Sequence, residues 1–452
     1  MRIIIAGSGT VGATLAEQLT EEGHDLIMVD KNSGRLSMLV EQYDLMTAEG
    51  NCASMETLKS AGVHSAQLLI ATTDSDELNL LCCMTAHHLN KRIHTIARIK
   101  DPEYMQQVYT MSAEFGISLC FNPEKQAATE IERLLKYPGF MKRDSFASGR
   151  VEIVEIKIDE HSKLQDVPLM SIHSIVKCKI LVCTVLRDGK AITPSGTFVL
   201  RRGDRLFVTA PSENLSLLLK NLGLVSQKVK KVMMLGAGSV GYYLAEILQD
   251  RHIDLKIIEK DRERCEKLSA LLPKANVIEG DAGDFAFLES EGLASCDALI
   301  SLTGKDELNM ITSLYGNNME VPLVITKLGK IDGTKVTENI PLGRVVSPRK
   351  LCCNTIVRYV RAMKNQAGAA TTIHAIADGN AEAIEFPVKE DTLYQNTPLK
   401  NIKLRSNILV ACITRLGKTE IPDGNSSFKQ GDSLIVVSSR DDVLLDLNDI
   451  FA

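Results

Sequence analysis

A chain of 452 residues, 44% hydrophobic and 24% charged, is too long for one ordinary domain and holds material for about three. Its net charge of −5 leaves no basic footprint for nucleic acid and no polybasic grip on anionic lipid. The N-terminus opens into a short apolar strand instead of a basic segment followed by a long apolar one, and no apolar run approaches a membrane span, so neither a signal peptide nor a spanning helix is expected.

The first predicted strand, 2–6, runs straight into Gly7-Ser8-Gly9-Thr10-Val11-Gly12 and then into an amphipathic helical stretch, 11–21. A lone G-x-G-x-x-G is weak, but here it lies between strand and helix, where its mechanism needs it. The first glycine makes the turn and the second lets backbone approach a pyrophosphate. The third lets helix pack on strand, and the helix N-terminus offers free N–H donors. The second strand, 25–29, is followed by Asp30, eighteen positions after Gly12. A carboxylate there accepts hydrogen bonds from ribose hydroxyls and repels a 2′-phosphate, favouring NAD(H) over NADP. The adjacent Lys31 can serve a phosphate, so ATP or ADP stays open. Beyond the third strand, 44–48, Gly50-Asn51 is placed to line an adenine. The fourth, 67–72, leads into Thr73, near the second ribose or the phosphates. Asp76 and Glu77 belong either to this crevice or merely to the first turn of a helix. Arg98, ending the fifth strand at 94–99, either reaches the phosphates or is a surface charge. A sixth strand, 117–121, precedes a helix with proline near its start, 123–136. Its apolar stripe of Ala127, Ala128, Ile131, Leu134 and Leu135 predicts packing on another module, of the same or of a second chain. Residues 151–222 then change to β-alternation with a hairpin signal at Asp188-Gly189.

The second half repeats the first at offsets of 225 to 230. Strands are predicted at 231–235, 254–258, 275–279, 297–302, 321–327 and 343–346, then a helix at 348–363 and a β-rich stretch at 381–452. Gly236-Ala237-Gly238-Ser239-Val240-Gly241 repeats the glycine loop, and Glu259-Lys260 repeats Asp30-Lys31. Gly280-Asp281 repeats Gly50-Asn51, Thr303 repeats Thr73, and Lys327 stands for Arg98, a weaker planar clamp. Asp76-Glu77-Leu78-Asn79 recurs intact as Asp306-Glu307-Leu308-Asn309. The pattern predicts two tandem Rossmann-like, doubly wound parallel-sheet α/β domains at 1–137 and 228–363, each followed by a small α+β lobe, at 138–227 and 364–452. Since Glu259 is bulkier than Asp, the second fingerprint is either a working site or one retained for strand–helix packing.

Catalytic signals are missing. His161 and His173 have no counterparts in the repeat, and His87-His88 points adjacent rings to different faces of a helix. No Cys/His cluster has zinc spacing, and no phosphate-binding P-loop, nucleophile-elbow or zinc-protease motif occurs. The eleven cysteines are irregularly spaced, without a C-x-x-C, as reduced and mostly buried thiols would be. Duplicated binding loops without chemistry favour sensing over turnover; an NAD-dependent oxidoreductase with an unrecognised substrate is the alternative.

The G-x-G-x-x-G with Asp30, the Asn122-Pro123 helix start, and the spacing of Gly189, Pro194, Gly196 and Gly203-Asp204 to Leu206 together resemble the RCK (regulator of potassium conductance, or KTN) module. Gly417, Pro422, Gly424 and Gly431-Asp432 to Leu434 repeat that last pattern. Two such modules in one chain are similar to the peripheral subunits of bacterial Trk potassium-uptake systems. The resemblance covers the whole chain. It implies a homo-oligomer of modules on the cytoplasmic, inner face of the cell membrane beneath a Trk-type potassium transporter subunit. It also implies NAD(H) or ATP/ADP as regulatory ligand and no catalytic residue. Carried over, Gly7, Gly9, Gly12 and Asp30 form a first nucleotide site, and Gly236, Gly238, Gly241 and Glu259 a second.

Overall fold

The computed structural model describes residues 1–136, 138, 142–146, 151–160, 162–223, 229–330, 340–364, 372–377, 380–415, 417–439, 444 and 446–452. They form two compact units, Met1–Leu135 with Val229–Val357, and Lys136–Lys228 with Arg358–Ala452.

The first unit holds two Rossmann-like modules. In the first, β1 (Arg2–Ala6), α1 (Thr10–Glu21), β2 (Asp25–Asp30), α2 (Ser33–Gln42), β3 (Met46–Glu49), α3 (Met55–Ser60) and β4 (Leu68–Ala71) succeed one another. They are followed by α4 (Asp76–Leu89), β5 (His94–Arg98), α5 (Pro102–Thr110), α6 (Ser112–Phe115), β6 (Leu119–Phe121) and α7 (Pro123–Lys136). The strands are parallel, in the order β3-β2-β1-β4-β5-β6. Helices cover both faces, which is why β1 and β4 read as unbroken apolar runs and not as alternation; Ile3, Ile4 and Ile5 are wholly buried. The order reverses between β1 and β4, so the glycine loop after β1 lies at the crevice where such sheets bind ligands.

The second half opens with the same architecture. After the lobe described below come β12 (Lys231–Leu235), α10 (Ser239–Leu248), β13 (Asp254–Glu259), α11 (Arg262–Leu271), β14 (Asn276–Glu279) and α12 (Phe285–Ser290). Then follow β15 (Ala298–Ser301), α13 (Asp306–Asn318), β16 (Leu323–Lys327), β17 (Arg344–Val346) and α14 (Pro348–Lys364). The sheet order, β14-β13-β12-β15-β16-β17, repeats the first.

The two modules exchange their last helices. The stripe of α7, Ala127, Ala128, Ile131, Leu134 and Leu135, shares one core with Val240, Tyr243, Leu244 and Leu248 of α10. Reciprocally, Cys352, Cys353 and Ile356 of α14 are wholly buried, and the Cys353 Sγ lies 3.8 Å from the Val11 carbonyl in the first turn of α1. The Tyr243 hydroxyl donates to the Lys100 carbonyl at 2.6 Å and accepts from the Asn122 amide at 3.2 Å, so the seam is polar at its edge and apolar at its centre. The stripe that predicted a partner is thus covered within the chain, and gives no ground for a second one.

The second unit consists of two small lobes. The first has β7 (Lys142–Phe146), β8 (Val151–Lys157), α8 (Ile172–Val176), β9 (Leu181–Arg187), β10 (Lys190–Ile192), β11 (Arg205–Pro211) and α9 (Ser212–Leu222). The second has β18 (Thr372–Ile376), β19 (Ala381–Pro387), β20 (Ile408–Arg415), β21 (Lys418–Glu420) and β22 (Ser433–Ser439). Each is a five-stranded sheet, ordered β10-β9-β11-β8-β7 and β18-β19-β22-β20-β21. Their inner faces meet in a shared core that includes Ile153, Cys183 and Phe207 from one and Ala383, Cys412 and Ile435 from the other. In each lobe the aspartate of the repeated Gly-Asp is buried and clamps an arginine through two hydrogen bonds: Asp204 with Arg187 at 2.6 and 2.7 Å, Asp432 with Arg415 at 2.7 and 2.9 Å. Among the described residues no helix is long and apolar enough to cross a membrane.

Candidate functional site

Both glycine loops divide the labour among their glycines. Gly7 and Gly236 take φ of +105° and +86°, and a Cβ on either would meet the backbone at residues 72–73 or 302–303 at about 3 Å. A Cβ on Gly12 would lie 1.9 Å from the Gly7 carbonyl oxygen, and one on Gly241 2.8 Å from that of Gly236. Around Gly9 and Gly238, by contrast, a Cβ would meet nothing within 4 Å. Outer glycines therefore close the turn, while the middle one faces open space. Gly9 and Gly238 are also the N-caps of α1 and α10, and no side chain caps either helix. The first-turn N–H groups, at the exposed Thr10 and Ser239, are left to water or an anion. Val11 and Val240 turn inward and are buried.

The carboxylates after the second strands close back onto these loops. The Asp30 Oδ2 accepts from the Ser8 amide at 2.6 Å and the Ser8 hydroxyl at 2.7 Å, and Oδ1 from the Asn32 amide at 2.9 Å. Burial pushes its pKa up, but the Ser8 and Asn32 donors outweigh that and hold it below the ordinary carboxylate value. Glu259 accepts from the amides of Ala237, Lys260 and Asp261 at 2.9, 2.9 and 3.1 Å. The second loop has alanine in place of Ser8, so its acid lacks the hydroxyl donor and takes its third hydrogen bond from the Lys260 amide instead.

The remaining predicted residues converge on the same crevice edges, not all with free polar groups. The Thr73 amide and hydroxyl both donate to the Asn79 Oδ1, at 2.9 and 2.7 Å; Thr303 does the same to Asn309. The Asn79 and Asn309 amides bridge to the carbonyls of Arg98 and Lys327. Asp76 and Asp306 accept from backbone amides of the loop after the fifth strand, Lys100 and Asp101 or Gly329 and Lys330. The repeated D-E-L-N is therefore a brace holding two crevice loops together, a role its recurrence signalled without revealing. Asn51 turns its Oδ1 to the Ala53 amide, and Asp281 pairs with Lys260 at 2.7 Å. Arg98 is tied to Glu124 at 3.0 Å and Asp74 at 3.6 Å. Lys327 is desolvated, which pulls its pKa down against the attraction of Asp306 and Glu124, and donates to the Leu302 carbonyl.

Around the second loop a cleft of about 720 Å³ opens between the modules, with Gly238, Ser239 and Tyr242 on one side and Asp74, Lys100 and Glu124 on the other. The fold thus offers two helix N-termini without side-chain caps, each beside a carboxylate that accepts hydrogen bonds from the glycine loop. His173 and His88 are exposed, His87 packs against Gly116, and His161 lies outside the described residues. No cysteine is in a disulfide, and burial pushes the Cys183 and Cys412 thiols up to about 12. Among the described residues no group of three His, Cys, Asp or Glu could hold a metal ion.

The family model described as the TrkA-N domain matches residues 3–119 and 232–348, and that of the TrkA-C domain matches residues 153–223. A "Trk system potassium uptake protein TrkA homolog" of Archaeoglobus fulgidus is 30% identical over 98% of this chain and 98% of the relative. The "Trk system potassium uptake protein TrkA" of Haemophilus influenzae is 29% identical over 97% and 96% of the two chains. Among solved structures, a "GsuK channel bound to NAD" superposes with a TM-score of 0.63 over 97% of this chain and 77% of that one, at 18% identity, a likeness of fold.

Proposed function

The chain belongs to the TrkA family, and on that premise we propose that it is the nucleotide-sensing regulatory subunit of a membrane potassium-uptake transporter of the Trk type. The observation that carries this reading is the pair of uncapped helix N-termini whose middle glycines open onto empty space beside a hydrogen-bonded carboxylate. The ligand is an adenine nucleotide, NAD(H) or ATP/ADP. It lies with its phosphates on the amides of Gly9, Thr10 and Val11 or of Gly238, Ser239 and Val240, and its adenosine ribose on Asp30 or Glu259. Asn51 and Asp281 flank the adenine side, and the loops at Thr73 and Thr303 the opposite side. The relatives' names, and the NAD bound to the GsuK channel of like fold, support this reading.

The subunit works as a homo-oligomer on the cytoplasmic face of the membrane, against the transporter. A nucleotide touching loops of several strands favours one arrangement of modules over another, and it shifts that balance only by its differential affinity for the two. Couplings of about 1–3 kcal/mol per site are typical of such linkage. Summed over two sites per chain and several chains, they suffice to swing a gate between mostly closed and mostly open. The test is potassium flux in vesicles holding the transporter with either wild-type protein or the Asp30→Ala/Glu259→Ala variant, titrated with each nucleotide. A nucleotide response in the wild type that the still-assembling variant lacks is expected. An unchanged response removes these sites from control. NADH bound without oxidation across a metabolite panel separates this reading from an oxidoreductase.

A further inference from the structure

Because the last helices are exchanged, each candidate site has a wall contributed by the opposite module, and the two walls differ in charge. Glu124, in the first turn of α7, lines the cleft over Gly238 and Ser239. Its counterpart in the repeat is Arg349, in the first turn of α14. One turn further along, Ala128 shares a core with Val240, and the equivalent Cys353 touches Val11, the equivalent of Val240. The two helices thus sit alike on the two glycine-loop helices, and Arg349 stands to the first loop as Glu124 stands to the second.

Both side chains hold an unsatisfied polar atom. The Arg349 Nε is buried without a hydrogen-bond partner, as is the Glu124 Oε2, whose other oxygen holds Arg98. The surroundings follow the same sign. Ser75 and Asp101, on the wall of the second site, are replaced in the repeat by Lys305 and Lys330, and Asp74 by Gly304. Lys100, replaced by Gly329, and Lys267, which lines the same cleft and is replaced by Met38, run the other way.

We propose that Arg349 is the terminal-phosphate sensor of the first site, so that this site selects adenine nucleotides by phosphate charge and prefers a nucleoside triphosphate or diphosphate. At the second site Glu124 takes that place and selects against the same phosphates, leaving that site to a ligand without a terminal phosphate. A guanidinium presents a planar fork matched to phosphate oxygens, and beside an uncapped helix terminus it completes an anion site. A carboxylate with a free oxygen at the same place repels them. The proposal rests on the nucleotide reading of these loops.

The experiment is calorimetric titration of the full chain with ATP, ADP, AMP and NADH, one site at a time, the other closed by Gly9→Val or Gly238→Val. With the second site closed, ATP is expected to bind at least tenfold tighter than AMP. Arg349→Gln should abolish that ratio while leaving AMP affinity and the ligand-free melting temperature unchanged, and Arg349→Lys should keep part of it. With the first site closed, ATP should bind more weakly than AMP, and Glu124→Gln should raise ATP affinity selectively. A ratio unchanged in Arg349→Gln, ATP and AMP affinities falling together, or NADH alone binding overturns the proposal and leaves the nucleotide reading standing. Should Arg349→Gln not fold, an ATP to AMP ratio in Arg349→Lys equal to the wild type overturns it as well. If the wild-type chain binds none of the four, the nucleotide reading fails and this proposal with it.

Discussion

Gly9 and Gly12 stand three positions apart and are expected to fail in opposite ways. A Cβ at Gly12 would overlap the Gly7 carbonyl oxygen, so Gly12→Ala should lower the melting temperature of the ligand-free protein. Gly9→Val projects into open space and should leave that temperature unchanged while abolishing nucleotide binding, a split that thermal denaturation and calorimetry read directly. Asp30→Ala removes one or two hydrogen bonds to ribose and should weaken the first site by about 1–3 kcal/mol. The wild-type carboxyl is held below its ordinary value, so it is ionised in the free protein throughout the neutral range. The Asp30-dependent part of the affinity should accordingly be flat from about pH 5 to 8 and decline only below about pH 4, as the proton returns. A decline centred near neutrality would point to another group. These glycines and acids were legible in the sequence because their spacing is dictated by a single local turn and the next strand. The crevice polarity of Thr73 and Thr303 was not, because their donors are taken by Asn79 and Asn309, a pairing set by helix placement and invisible in spacing.

At the scale of elements, apolar runs located the strands to within a few residues, since a buried parallel strand has to be apolar throughout. The register of the lobes owes as much to a polar element. Asp204 and Asp432 each fasten one strand's arginine to the loop before the next strand, through Arg187 and the Arg201 amide or Arg415 and the Lys429 amide. Asp204→Asn leaves Arg187 with half its partner and should cost about 3 kcal/mol, measured by denaturant unfolding. Burial raises the Asp432 pKa, but Arg415 and the Lys429 amide pull it down further, to a net depression. Its contribution to stability is therefore present above the ordinary carboxylate pKa of about 3.9 and lost as acid takes the pH through the lower folded value. For α7 the sequence announced that Ala127, Ile131 and Leu135 need covering without saying by what, because the cover lies more than a hundred residues away on α10. Ile131→Ala should destabilise the first unit by about 2–5 kcal/mol, and a change near zero would mean the helix is not seated there in solution.

At the scale of the whole molecule, duplication has made a two-module body whose sites each border the neighbouring module, so that ligand and module arrangement are joined by construction. How the first site is walled could be traced in the sequence only as aligned differences, Glu124 against Arg349, whose meaning depended on the helices crossing. The same crossing bears on how the chain is made. When the ribosome has finished α7, its apolar stripe has no cover, because α10 is encoded about a hundred residues later, beyond the whole first lobe. At 5–20 residues per second that interval lasts on the order of 5–20 s, long enough for a nascent chain to meet a neighbour on the same message. A half-length chain ending at Lys228 never receives the cover at all. Its α7 can then be satisfied only by the α1 face of another copy, and reciprocally, so such a fragment should sediment as a two-fold dimer that restores the covalent arrangement from separate chains. In the intact protein the late arrival of residues 239–248 leaves that stripe uncovered while the whole first lobe is being made, an exposure of which the finished molecule shows no trace.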